Sequence, residues 1–572
     1  MSTNEKGRIS FDKRLIKLTA LSAVISAILV LLLSINGTAV TWPSSDNLPA
    51  VCRMLDSSCL ANDFFTNASS GITPRLPYIF VLGEITRAIG NGVGGGLSVV
   101  KALLLAFIPA VMTFVIVASI SSHTITNNED VAKHGPFPAT IFAAIGSPIL
   151  IILMQGEVGA GLSVAWWVPL YFEGTPHNFS LLLTLIGFSL ICVGASFIGA
   201  MIVFIGGIFH PAVGLFTSVF SLVLFCKLNS IRQDIGFLII GFIASLLAAI
   251  IVKLFLESSS SLSAQEFVRI YVVEAHPSHY LPSQFGSLSK IPWYGSFSIV
   301  GGGLAWATYA LYKLDNAAWK NSFIALVSYL GAVVFQYLFV ELYPIKIIAA
   351  LGPSRFTMFG PWFLFIFSFI AIYTSFNTNM FLISFARTLN LAIPFVCWRH
   401  VGFGGFLVAT LVVIYSNKSA SIELPDDDSK ELADFAIANT GKGDIFALPF
   451  SAPRVDFSLK TGRGVFHGNG FPFSESYFNE WDARHTIIDG SNAEIRKHPG
   501  AWIGEKYANH YRSLTPADFI NAASRYELDW VVVENEFSRK FVNCRADFES
   551  LKYEAYSLSA LKLCALSTQS PQ

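Results

Sequence analysis

The change in hydropathy near Ser416 constrains this chain more than any other feature. Before it, apolar stretches of membrane-spanning length follow one another with little between them. After it, residues 417–572 have the mixed pattern of a water-soluble domain. The fold class expected is therefore a polytopic α-helical membrane body with a C-terminal soluble α/β domain. A chain of this plan fits a transporter, a receptor or an enzyme of lipid-linked substrates.

The chain is 53% hydrophobic and 13% charged, against about 25% charged in soluble proteins. Its formal net charge is +0, so nothing steers it toward nucleic acid, and no nucleic-acid partner is expected. Fifty Phe suit a body whose side chains face lipid and one another, and seven Cys in 572 residues are too few for a disulfide scaffold.

Residues 1–17 carry Lys6, Arg8, Lys13, Arg14 and Lys17 ahead of the apolar run 18–35, which places this terminus in the cytoplasm. A cleaved signal peptide is the other reading of that run. Further spans are expected at 97–120, 137–154, 179–197, 201–226, 235–256, 294–312, 323–341, 357–376, 379–396 and 401–415, within a membrane domain covering 18–416. Residues 76–89, amphipathic with Glu84 and Arg87, suit the membrane interface. Residues 158–172, with Trp166, Trp167 and Tyr171, suit a short span or a re-entrant segment. Roughly 10–13 crossings follow from the length a helix needs to cross. Lys313, Lys320, Arg387 and Arg399 read as cytoplasmic, which puts the tail outside.

Two long outer segments carry the polar chemistry. The first, 38–75, holds Asp46, Asp56 and Asp63, and Cys52 with Cys59 as a candidate disulfide on the oxidising side. Asp63 stands at an apolar boundary, where a partly desolvated carboxylate can act as a general base. The same position suits a helix cap ahead of Phe64 and Phe65. The second segment, 257–293, contains HPSHY. His276, His279 and Tyr280 could bind phosphate or sugar hydroxyls, or Tyr280 could belong to an interfacial aromatic belt. His210 lies in an apolar stretch beside Pro211, as a functional group or a packed one. Arg355 opens a span, as a phosphate fork or a snorkelling side chain.

In the tail, helices are expected at 429–439 and 515–526, the second with Thr515 and Asp518 as a capping box. Strands are expected at 444–450 and 529–534, with a final hairpin of 551–558 and 561–567. The patch GRGVFHGNGFPFSESYFNEWDARH concentrates Arg463, His467, Trp481, Asp482, Arg484 and His485 among Gly and aromatics, which suits contact with a polar ligand. No zinc-site, phosphate-loop or Ser-His-Asp spacing is seen there.

With LANDFFTNASSGITPR after the first span, HPSHYLPS in the second outer segment and EWDAR in the tail, the chain resembles the GT-C superfamily of polyprenyl-phosphate-sugar-dependent glycosyltransferases. The resemblance covers nearly the whole length and is one of architecture. It implies an inverting glycosyltransferase that moves a sugar from a polyprenyl-linked donor to a glycan or lipid acceptor of the cell envelope. It also implies residence in the lipid bilayer of a bacterial inner membrane. Asp63, with Asp56 in reserve, would be the base, alone or with a divalent metal, the one cofactor the resemblance allows. Arg75, His276, His279 and Arg355 would hold the lipid phosphate. Trp481 and Asp482 match part of the Trp-Trp-Asp motif of the oligosaccharyltransferase branch, with Glu480 in place of the first Trp. A flippase for a lipid-linked glycan and a non-catalytic glycan-binding scaffold are the alternatives.

Overall fold

The structure is a computed structural model that describes residues 44–90, 92–125, 146–147, 174–192, 194–225, 236, 239–241, 243–247, 262–285, 293–376, 424–468, 470–493, 503–541 and 543–569. The chain divides into two compact units. One comprises Met1–Thr38, Val99–Lys253 and Ser278–Asn417; the other comprises Ala39–Ser98, Leu254–Pro277 and Lys418–Gln572. Lys418–Gln572 is the largest of the three pieces of the second unit.

The described residues of the first unit are helical. Among the described residues three helices are long and apolar enough to cross a membrane: Gly92–Ile120, Trp319–Leu342 and Lys346–Ser375. The expected spans 179–197 and 201–226 correspond instead to three shorter apolar helices, Pro176–Cys192, Ser196–Phe209 and Pro211–Phe225. The breaks fall at Gly194, whose φ is +91°, and at His210–Pro211, where proline opens the next helix. The first two of these helices touch along glycines: a Cβ on Gly187 would lie 2.5 Å from the carbonyl oxygen of Gly199. Small residues permit this backbone approach, as in helix pairs that lack a hydrophobic drive to associate. Expected spans 18–35, 379–396 and 401–415 and the segment 158–172 lie outside the described residues, as do all of 137–154 except 146–147 and more than half of 235–256.

The second unit is built on a mixed five-stranded sheet of order β2-β1-β3-β5-β4. The strands are β1 (Ile445–Ala447), β2 (Gly464–Val465), β3 (Trp530–Glu534), β4 (Phe548–Glu549) and β5 (Tyr553–Ser557). β1 pairs in parallel with β2 and β3, while β5 runs antiparallel to β3 and β4. Alternate residues of a strand face opposite sides, and here both sides are covered. Val531 and Val533 join Phe519, Ala522, Tyr511 and Leu561 on one face. Val532 joins Phe446, Leu432, Ala436 and Phe457 on the other. Burial on both faces explains why β3 reads as an unbroken Val run.

The helix Asp427–Asn439 starts at Asp426, whose carboxylate accepts from Ser429 N, and the Thr515–Asp518 capping box opens Pro516–Arg525. The expected final hairpin is replaced. Tyr553–Ser557 pairs with Phe548–Glu549, and 561–567 lies in the helix Leu558–Gln569. That helix buries Leu561 and Cys564, three residues apart on one face.

Candidate functional site

The second unit contains an open groove of about 420 Å³, lined by Arg53, Asn62, Phe64, Asn67, Tyr477, Glu480, Arg484 and Glu527 among others. That volume is within the range of small-molecule sites. One wall comes from the segment 38–75. Cys52 and Cys59 are joined in a disulfide, and Arg53 braces the loop they close. Its Nε donates to the Cys59 carbonyl, 2.7 Å, and its guanidinium also binds Leu60 O and Asn67 Oδ1. Opening a loop of this length returns roughly 2–3 kcal/mol of chain entropy to the unfolded state. Cys59→Ser is therefore expected to lower stability by about that much and to make 52–60 the first site of protease nicking, as limited proteolysis would report.

The other wall is the helix Phe478–Ile488. Arg484 donates from Nε to Glu480 Oε1, 2.9 Å, and from NH1 to the Phe466 carbonyl, 3.0 Å. Its guanidinium is boxed by the rings of Phe64, Phe466 and Tyr526 at 4.5, 4.9 and 4.8 Å. Cation–π contact and the Glu480 bond hold it in place. The arginines are thus spent on the walls. Among the described residues the groups left for a ligand are Glu480 Oε2, Glu527, the Tyr477 hydroxyl and the Asn62 carbonyl oxygen. Two arginines against two glutamates give the lining no net formal charge. A polyanion gains nothing from such a surface, whereas a neutral molecule rich in hydroxyl donors finds acceptors there.

Asp63 stands beside this groove but does not open into it. Its Oδ2 accepts from Thr66 N at 2.7 Å and Thr66 Oγ1 at 2.6 Å, and its Oδ1 accepts from Val465 N at 2.8 Å. It is 2% exposed. Burial pushes its carboxyl above the usual range, against the opposing hydrogen bonds from Thr66 and Val465 and the Arg484 charge. The geometry makes it the cap of the helix Phe64–Ser69 and a tie to β2. Asp56 is exposed and accepts from Ser58 N and Oγ, bonds that hold its carboxyl below the usual range.

The remaining sequence candidates are placed as follows. Arg75 donates to Asn47 Oδ1 and lies 4.1 Å from the Phe473 ring centroid. Trp481 is 5% exposed, donates to Gly470 O and stacks on His485 at 4.6 Å. Asp482 pairs with Arg269 at 2.8 Å. His276 bonds the Tyr271 carbonyl through Nδ1, 2.9 Å, and packs against the rings of Tyr271 and Phe471.

His279, Tyr280, Arg355 and His210 belong to the first unit. There Arg355 lies 4.7 Å from the Tyr280 ring centroid, and Gln336 donates to the Tyr280 carbonyl while accepting from Ser354 N. His210 Nδ1 accepts from Val213 N, 3.3 Å, at the start of the helix Pro211–Phe225, and its ring centroid is 4.1 Å from that of His177.

Sequence reasoning found no zinc spacing in the tail, yet His467, His485 and Asp489 converge there, all buried. Arg454 grips Asp489 with two parallel bonds, NH2 to Oδ1 at 2.8 Å and NH1 to Oδ2 at 3.0 Å. Burial, only partly offset by Asp489, pushes His467 down to about 4. Burial works against ionisation of Asp489, but the Arg454 charge and the bonds from His467 and His485 hold it well below the usual carboxylate range. The visible signal was His485-x-x-x-Asp489, one helical turn apart; His467 comes from another element.

No family model matches this chain, and no curated protein does. Among solved structures it is similar to a crystal structure of the Archaeoglobus fulgidus oligosaccharyltransferase in the apo form. The match has 11% identity and a TM-score of 0.42, and covers 92% of this chain and 70% of that one. At this level the likeness carries no residue role and no activity to this chain.

Proposed function

We propose that this chain is a membrane-bound inverting glycosyltransferase that delivers a sugar from a polyprenyl-phosphate carrier to a hydroxyl-bearing glycan or lipid of the bacterial cell envelope. The observation that carries the reading is the groove, whose unspent groups are carboxylate, phenol and amide oxygens suited to sugar hydroxyls. The three membrane-length helices support a lipid-linked donor. Both disulfides of the described residues, Cys52–Cys59 and Cys544–Cys564, belong to the second unit, which supports an extracytoplasmic place for it.

In this reading the acceptor oxygen attacks the anomeric carbon. The bond from that carbon to the carrier's phosphate oxygen breaks, and polyprenyl phosphate leaves with the electron pair. Glu480 takes the acceptor's proton on Oε2 while Arg484 fixes its other oxygen, and Glu527 binds a neighbouring hydroxyl. A positioned general base contributes about 10²–10⁴-fold. Glu480→Gln should therefore lower transfer by that factor with little change in KM. Asp63→Asn should keep most transfer in whatever fraction folds. Purified full-length protein in nanodiscs, a panel of polyprenyl-linked sugars and mass spectrometry of the product test this. Equal transfer by wild type and Glu480→Gln removes Glu480 as the base.

The enclosure of Asp63, which has no oxygen to offer a substrate, favours a second reading: a glycan-binding scaffold without chemistry. Binding of envelope glycans without covalent product from any donor would establish that reading instead.

A further inference from the structure

We propose that His467 Nε2, His485 Nδ1 and Asp489 Oδ2 hold a zinc-class divalent cation inside the second unit, a site independent of the groove and of the transfer reading. The three atoms form a nearly equilateral triangle. His467 Nε2 lies 3.2 Å from Asp489 Oδ2, His485 Nδ1 lies 3.5 Å from that same oxygen, and the two ring nitrogens are 3.3 Å apart.

The edge length distinguishes the ion. Bonds of about 2.0–2.1 Å around tetrahedral zinc set its ligands roughly 3.3–3.4 Å apart. An octahedral magnesium ion with bonds of the same length sets neighbouring ligands about 2.9 Å apart. The observed edges fit the tetrahedron. Two imidazoles and one carboxylate are also the donor set that suits zinc rather than magnesium or calcium.

A hydrogen-bonded cluster without a cation satisfies these atoms less well. Asp489 Oδ2 already accepts from Arg454 NH1 at 3.0 Å. If both imidazoles also donated to it, one oxygen with two lone pairs would serve three donors, and two hydrogens would crowd between the ring nitrogens. With a cation, each ring turns a lone pair inward, and Oδ2 keeps one bond to Arg454 and one to the ion. The outer ring nitrogens, His467 Nδ1 and His485 Nε2, are buried without a hydrogen-bond partner among the described residues in both cases. They do not distinguish the two.

Arg454 then has the part that outer partners of metal ligands commonly take, orienting the carboxylate through its free oxygen. The fourth position of the tetrahedron would go to water. The ion would tie the turn after β2 to the end of the helix Phe478–Ile488, the helix that carries Glu480 and Arg484.

The test is the metal content of the full chain, purified without a polyhistidine tag, exposed to zinc and dialysed. The expected result is about one zinc per chain, falling below roughly a tenth in His467→Gln and in His485→Gln. Hydrogen exchange at β3 checks that each variant is folded. A wild type without zinc, or variants that keep as much as the wild type, overturns the proposal. Where the variants do not fold, cobalt in the wild type decides. The intense visible bands of tetrahedral cobalt with nitrogen ligands support the site, and the weak spectrum of octahedral cobalt overturns it.

Discussion

Arg454→Met is expected to destabilise the second unit by about 3–5 kcal/mol, because it leaves a buried carboxylate without its counter-charge. Arg454 is 0% exposed and Asp489 2%. The guanidinium binds both carboxylate oxygens and also the Leu448 carbonyl through Nε, 3.1 Å. The loss is measured as the opening free energy of the β3 amides by hydrogen exchange, with a chelator present so that no cation stands in for the guanidinium. The double variant Arg454→Met with Asp489→Leu should recover much of it, since an apolar pair carries no unpaired charge. A single variant within about 0.5 kcal/mol of wild type, the range of ordinary surface substitutions, would show that the pair is not buried as described.

Asp63→Ala is expected to cost about 2–4 kcal/mol. Loss of a helix cap contributes about 0.5–2 kcal/mol, and the Val465 N–H left without an acceptor contributes about 1–3 kcal/mol. Asp63→Asn keeps an acceptor for one of these donors and should cost about 1 kcal/mol. The pH dependence has a definite sign. Burial raises the Asp63 carboxyl above its ordinary 3.8, so the folded state keeps this proton to a higher pH than the unfolded chain. Stability from this group therefore falls as pH rises from 3.8 toward the raised value. Asp63→Asn lacks that loss and should gain on wild type across the same window. Parallel stability profiles for the two proteins would contradict the assigned environment.

Much of the second unit was legible in the sequence because its signals are local. The Asp426 and Thr515 caps are set by residues three apart, and the Val run of β3 by burial on two faces. The final hairpin was misread because LKLCALS alternates like a strand, while its buried pair, Leu561 and Cys564, is spaced like a helix. The join between the segment 38–75 and the tail was illegible. Asp63 meets Val465 across 402 residues, and Asn62 meets Gly443 across 381. Nothing local marks such contacts. For the same reason the sequence offered two readings of Asp63, base or cap, and only the bond from Val465 N shows both its oxygens in use. The groove was half visible: Glu480 and Arg484 lay in a patch read as ligand-binding, but Arg53 and Glu527 carry no motif. Trp481 stood out by its likeness to an acceptor motif, and its stacking on His485 gives it a place in the interior.

The central claim, common to the transfer and scaffold readings, is that the groove takes carbohydrate. Hydrogen exchange on the full chain in nanodiscs, with and without saturating envelope oligosaccharide, tests it most directly. The expected result is protection confined to 61–70 and 477–484, lost in Glu527→Gln and largely kept in Glu480→Gln. Saturable binding that leaves both segments unprotected would contradict it.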